Sequence, residues 1–201
     1  MIFVTGCARS GTSLITRILA AHGCHTGPVN RLHENLAVRE PILKRILKEL
    51  GVDPLGQDIL PDTDTVKPIP GLAEMVTQAV GGTEPRAYKD AKLCLVHPVF
   101  AAAFPDAKWI IVRRDDEKIA ESCLRTPFMR HHQTKAGWLT WVEQHKKRFA
   151  TMMQTLDAIE VWTDSVIADP HAFAPVAQHC GLTFSPEAVA LSIDRKAWHP
   201  A

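Results

Sequence analysis

The sequence predicts an α/β fold, a three-layer sandwich in which a central, mostly parallel sheet is flanked by helices. Three observations predict it. Short apolar runs rich in β-branched residues alternate along the chain with segments of helical period, the pattern of βαβ units. Two of these runs, residues 2–5 and 108–112, are apolar almost throughout, as strands covered on both faces must be. The 201 residues are 46% apolar and 22% charged. That composition suits one globular domain (1–201) burying about 70% of its unfolded surface.

Residues 2–5 read as the first strand, ending at Gly6. Leu14, Ile15, Ile18, Leu19 and His22 then recur at helical spacing, and Gly23 stops the helix. Residues 35–50 predict a second helix, with Ile42, Leu43, Ile46, Leu47 and Leu50 on one face. Residues 51–70 hold four prolines, four aspartates and two glycines, and a loop this long predicts a mobile cover over a site. A short strand at 86–89 and a short helix at 94–104 follow. Residues 108–112 are the clearest buried strand, and 115–125 read as helical. The longest helix spans 136–157, where Trp138, Trp141, Val142, His145 and Phe149 step by three and four as core residues do. The basic run His145-Lys146-Lys147-Arg148 on it reads as a solvent face. A last strand at 159–162 precedes helical stretches near 171–180 and 186–193.

Charge and cysteine usage exclude several classes. With 23 basic against 22 acidic side chains, the net charge is +1, so no global field draws nucleic acid or an anionic membrane. No run approaches the ~18 apolar residues of a spanning helix, and Met1 leads into 2–5 without the basic segment of a signal peptide. The five cysteines are scattered, with no CxxC pair, which predicts a reducing cytoplasm and no disulfide framework. His22, Cys24 and His25 lack a fourth ligand at zinc-site spacing; no metal is expected.

Chemistry concentrates in Gly6-x4-Gly11-Thr12-Ser13. Between a strand and a helix, successive N–H groups and a helix N-terminus form an anion cradle, to which Thr12 and Ser13 add hydroxyls. The spacing is that of a nucleotide P-loop except that Thr12 stands in the lysine place; the loop's cation is Arg9. Asp164 is the best-placed carboxylate for the magnesium that a kinase would need.

The segment Phe3-Val-Thr-Gly-Cys-Ala-Arg9-Ser10-Gly11-Thr12-Ser13-Leu14 resembles the 5′-phosphosulfate loop of sulfotransferases, enzymes that use 3′-phosphoadenosine 5′-phosphosulfate (PAPS). A second match is similar to their strand-end arginine followed eight residues later by serine: Ile110-Ile111-Val112-Arg113-Arg114 leads to Ser122. In the family that pair binds the donor's 3′-phosphate, which implies the same of Arg114 and Ser122. Asp116 stands where the family usually has proline. Weaker likenesses lie in Phe104-Pro-Asp-Ala-Lys108, in Tyr88-Lys89-Asp90, in Asn35-Leu-Ala-Val-Arg-Glu40, and in Asp194-Arg195-Lys196-Ala-Trp198, similar to the loop that closes over the nucleotide.

The resemblance implies a P-loop-like fold, a PAPS donor with 3′,5′-adenosine bisphosphate (PAP) as product, and a hydroxyl or amine acceptor on a small molecule, glycan or peptide. It implies nucleotide binding by Gly6, Arg9, Ser10, Gly11, Thr12, Ser13, Arg114, Ser122 and Arg195, with Arg9 and Lys89 stabilising charge in the transition state. The family's histidine after the lysine is here Ala91, so Glu40 is the first expectation for the general base, with His33, Glu34 and Asp90 behind it. His131-His132 reads as an exposed loop pair. A P-loop kinase and a non-catalytic nucleotide-binding protein are the alternatives.

Overall fold

A computed structural model describes residues 1–58 and 67–193 of the chain. Four strands, β1 (Ile2–Gly6), β2 (Ala87–Lys89), β3 (Lys108–Arg113) and β4 (Ala158–Trp162), form one sheet in the order β2-β1-β3-β4. Every pairing is parallel, with Ile2 beside Ala87 and Lys108, and Trp109 beside Ala158. From β1 the chain runs first to β2 on one side, then to β3 on the other. The crevice beyond the carboxyl ends of β1 and β3 is therefore a topological switch point, where open α/β sheets place their ligands.

Alternation along the strands sorts the core into two layers. Phe3, Tyr88, Trp109 and Ile111 face one side, under α3 (Lys44–Glu49), α4 (Leu72–Val80), α5 (His97–Ala103), α6 (Asp116–Leu124) and α7 (Lys135–Thr155). Ile2, Val4, Ile110, Val112 and Val161 face the other, against α1 (Thr12–Ala21), α8 (Thr163–Ala168), α9 (Ala174–His179) and α10 (Pro186–Ser192). This is the expected three-layer α/β sandwich with a parallel sheet.

The expected helix over 35–50 is interrupted. Asn35 caps α2 (Leu36–Val38) by accepting from the N–H groups of Ala37 and Val38, and a π turn (Arg39–Leu43) then leads into α3. Pro41 lies within the turn and has no N–H to give the i−4 carbonyl; the Lys44 N–H reaches back five residues to the Arg39 carbonyl instead. The expected helix at 94–104 is a 3-10 turn (Ala91–Leu95) followed by α5. Two helices, α4 and α8, lie outside the sequence expectations: α4 buries Leu72, Val76 and Val80 at four-residue steps, a helical period that was readable and was missed, whereas α8 is only six residues long.

Residues 51–58, the start of the expected cover, are docked. Gln57 is buried, its amide donating to the Phe128 carbonyl (2.7 Å) and accepting from the Arg130 N–H (2.8 Å). Residues 59–66 of that segment, and the expected nucleotide contact Arg195, lie outside the described residues. Among the described residues no helix is long and apolar enough to cross a membrane.

Candidate active site

The phosphate loop fills the turn between β1 and α1. Gly6 is dictated by crowding: a Cβ there would sit 2.5 Å from the Val112 carbonyl oxygen and 2.8 Å from Ser10 Oγ. Gly11, at φ +99°, is dictated twice over, because a Cβ would also stand 2.5 Å from Thr163 Cγ2. Between them Arg9 adopts φ +73°, a left-handed conformation that non-glycine residues hold only under constraint. No side chain caps α1, so its first N–H groups point into the crevice as an anion cradle. Ser10 Oγ, fully buried beneath the loop, makes no hydrogen bond among the described residues.

The end of β3 supplies the second anion element. Alternation turns its two arginines apart. Arg113 Nη1 donates to Glu160 (2.5 Å), and its guanidinium lies over the Trp162 and Phe149 rings. Arg114, 8% exposed, turns into the crevice and donates from Nη1 to the Arg9 carbonyl (3.2 Å). Asp115 caps α6, which fixes Ser122 two turns on, where its hydroxyl accepts from Arg9 Nε (3.0 Å). The predicted loop and the predicted arginine–serine pair thus meet directly. Burial holds the Arg114 guanidinium below its ordinary range, and the neighbouring charges of Arg9 and Arg125 push the same way against Asp164. Asp164 itself pairs with Lys118 (3.4 Å).

A cavity of about 640 Å³ opens beside these groups. Its described lining carries eight arginines and lysines against one carboxylate, Glu34; a chain with a net charge of +1 has gathered eight of its 23 basic side chains in one crevice. Arg17, one turn beyond Ser13 on α1, Arg31, and Arg125, three residues beyond Ser122, join the expected Arg9 and Arg114. The sequence reading missed those three, although the i, i+4 and i, i+3 spacings from motif residues were signals for Arg17 and Arg125.

Lys89, at the end of β2, is 4% exposed and belongs to a buried network. Its Nζ donates to the Leu32 carbonyl (2.9 Å) and lies 3.5 Å from Glu34. Arg39 approaches Glu34 (3.3 Å) and Asp90 (3.5 Å), and Lys92 pairs with Asp90 (2.7 Å). Burial lowers the Lys89 pKa, opposed by Glu34 and Asp90.

The Leu32 carbonyl also accepts from Ser13 Oγ (2.8 Å). One backbone oxygen therefore ties the phosphate helix and Lys89 to the loop that follows. Asn30 folds that loop, its Oδ1 accepting from the Leu32 (2.8 Å) and Glu34 (3.1 Å) N–H groups. The turn holds His33 at φ +55° on the cavity wall. Burial, with Arg17 and Lys89 nearby, lowers the His33 pKa below its usual value, so the ring is neutral near pH 7.

Glu40 is not brought to this cavity. Its side chain is 46% exposed and pairs with Arg39 (2.6 Å) and Lys44 (2.7 Å), and the hydrogen bond from Lys44 holds its carboxyl below the usual range. Asp90 lies buried behind Lys92 and Arg39. His131, exposed and 3.1 Å from Asp58, is also absent from the lining. The run expected as a solvent face begins with a buried residue: His145 is 2% exposed, lines the cavity, and is held down to about 4 by burial.

A glycine loop at the end of β1, with a strand-end arginine beside it on a parallel sheet, defines a P-loop-like α/β protein. The sequence profile of the sulfotransferase family matches residues 2–186, and the chain belongs to that family. It is similar in fold to the sulfotransferase domain of the Synechococcus PCC 7002 olefin synthase, with a TM-score of 0.65 at 18% identity, over 94% of this chain and 75% of that one. Sulfotransferase STF9 from Mycobacterium avium is similar over 100% of this chain and 68% of its own, with a TM-score of 0.51 at 17% identity. No curated protein matches the sequence as a relative.

Proposed function

We propose that this chain is a PAPS-dependent sulfotransferase acting on an acceptor hydroxyl. One observation carries the reading: two anion elements, the Gly6–Ser13 loop and the Arg114–Ser122 pair, stand side by side at the switch point and are joined by the 3.0 Å Arg9–Ser122 bond. A donor with a 5′-phosphosulfate and a separate 3′-phosphate would engage both. The concentration of cations around them suits such a polyanion.

PAPS supplies the sulfuryl group, whose S–O bond to the 5′-phosphate breaks as the bond to the acceptor oxygen forms, leaving the electron pair on PAP. The loop N–H groups and Thr12 hold the 5′ end, and Arg114 and Ser122 hold the 3′-phosphate. Arg9 and Lys89 place positive charge where negative charge develops on the leaving oxygen, which stabilises the transition state over the ground state. The acceptor hydroxyl must lose its proton. His33 is neutral, faces the cavity, and is stitched through Leu32 to both Ser13 and Lys89. It takes the role that the sequence reading gave first to Glu40.

The test is calorimetry with PAP, 5′-AMP and ATP. A charge-assisted arginine–phosphate contact is worth ~1.5–3 kcal/mol, so PAP should bind at least ~10-fold tighter than 5′-AMP. Arg114→Ala should erase most of that preference. Equal affinity of the unmodified protein for both nucleotides would overturn the reading, and tighter binding of ATP with magnesium would put a kinase in its place.

A further inference from the structure

One wall of the cavity differs from the rest. Residues 55–57, the loop after α6 and the face of α7 meet there, joined by the Gln57 bonds to Phe128 and Arg130 and by the Trp141 Nε1–H donating to the Gly56 carbonyl (3.0 Å). These bonds consume the polar atoms of Gln57 and the indole N–H of Trp141. The apolar part of this wall is Leu55, Phe128, Met129 and the Trp141 ring. Leu55 and Phe128 stay 52% and 42% exposed at its mouth, an arrangement that water does not favour.

His145 is the exception. Its Nδ1 lies 2.9 Å from the Trp141 carbonyl oxygen. A carbonyl only accepts, so Nδ1 carries the proton, and in the neutral ring Nε2 is a bare acceptor. Among the described residues no donor reaches Nε2. An anionic group cannot pair with it, whereas a hydroxyl or N–H can.

The wall lies between the end of α6 and Lys92 of the buried Lys89–Asp90–Lys92 segment. Phe128 and Met129 lie four and five residues beyond the end of α6, which carries Ser122, and the Lys92 stem packs on Gly56. The opposite end of the cavity, by Leu14, Ile167 and Ile193, adjoins α8, whose Thr163 donates to the Ser10 carbonyl (2.8 Å). That end leaves room for the nucleoside.

Resting on the sulfotransferase reading, we propose that the wall formed by Leu55, Phe128, Met129, Trp141 and His145 is the acceptor subsite, and that it selects an uncharged, largely apolar alcohol or phenol that donates a hydrogen bond to His145 Nε2. His145 is on this account a specificity-determining residue.

The experiment titrates PAP-saturated protein with 2-naphthol and with 2-methoxynaphthalene, which has the same ring system and no donor. One net hydrogen bond predicts that 2-naphthol binds ~5- to 10-fold tighter. His145→Phe should remove that difference and leave PAP affinity within about twofold. Because a core substitution risks the fold, Phe128→Ala at the mouth is the second variant; it should weaken both naphthalenes alike and spare PAP. A loss of PAP affinity in Phe128→Ala would assign the wall to the nucleotide and overturn the proposal. So would wild-type protein that binds PAP but neither naphthalene, or a 2-naphthol preference that survives in His145→Phe. Wild-type protein that binds 2-naphthol with the expected preference but does not bind PAP would instead overturn the donor reading and support the apolar wall.

Discussion

His33 offers a prediction in which stability and activity move in opposite directions. The residue sits at φ +55° inside the turn built by Asn30, and a left-handed conformation costs a non-glycine residue ~1–2 kcal/mol. His33→Gly relieves that strain but frees the unfolded chain, at a cost of ~0.4–1 kcal/mol. The net effect lies between zero and ~1.6 kcal/mol of added stability, or up to ~6 °C in Tm for a chain of this size. If the imidazole takes the acceptor proton, kcat should fall ~10²–10⁴-fold in the same variant. The pH dependence carries a sign as well. The active form is the neutral ring, and burial with the Arg17 and Lys89 charges lowers its pKa below 6.5. Activity should therefore be full at neutral pH and fall as the medium is acidified through that lowered value. In His33→Gly the acid limb should vanish. The assay is PAP release against pH, beside thermal melting of both proteins. Unchanged kcat would remove His33 from the reaction; parallel losses of Tm and kcat would make it a structural residue.

Arg9→Ala should lower kcat by ~10²-fold or more while PAP affinity falls much less, given the size of one lost electrostatic donor; equal losses in binding and turnover, measured by calorimetry and steady-state kinetics, would make Arg9 a phosphate anchor only. Gly11→Ala should destabilise by ~2–5 kcal/mol, the sum of left-handed strain and of overpacking against Thr163 Cγ2. Thr163→Ser, which deletes that methyl group and keeps the hydroxyl bonded to Ser10, should restore the overpacking part in the double variant. Melting curves without such a rescue would refute the crowding argument at Gly11.

The sequence by itself determined everything that depends on near neighbours in the chain. The cradle needs only a strand, a glycine turn and a helix in succession, and Gly6 to Ser13 carries them within eight residues. Arg114 and Ser122 are likewise fixed relative to each other by one strand end, one cap and two helical turns, so their spacing was enough to read. The same local logic placed the four strands and most helices, and it failed where a local feature was overridden, as by Pro41 in the π turn. Tertiary structure decided which titratable groups face the cavity. Glu40 and His33 are seven residues apart, yet one turns outward to Arg39 and Lys44 while the other is held inward by the Asn30 turn and the shared Leu32 carbonyl. His145 heads a basic run and still lies buried, because α7 packs against the 55–57 segment, some 90 residues earlier in the chain. Periodicity shows that a helix has an inner face; which part of that face meets the core and which part meets a cavity depends on segments far apart in sequence, and only their packing against one another sets it.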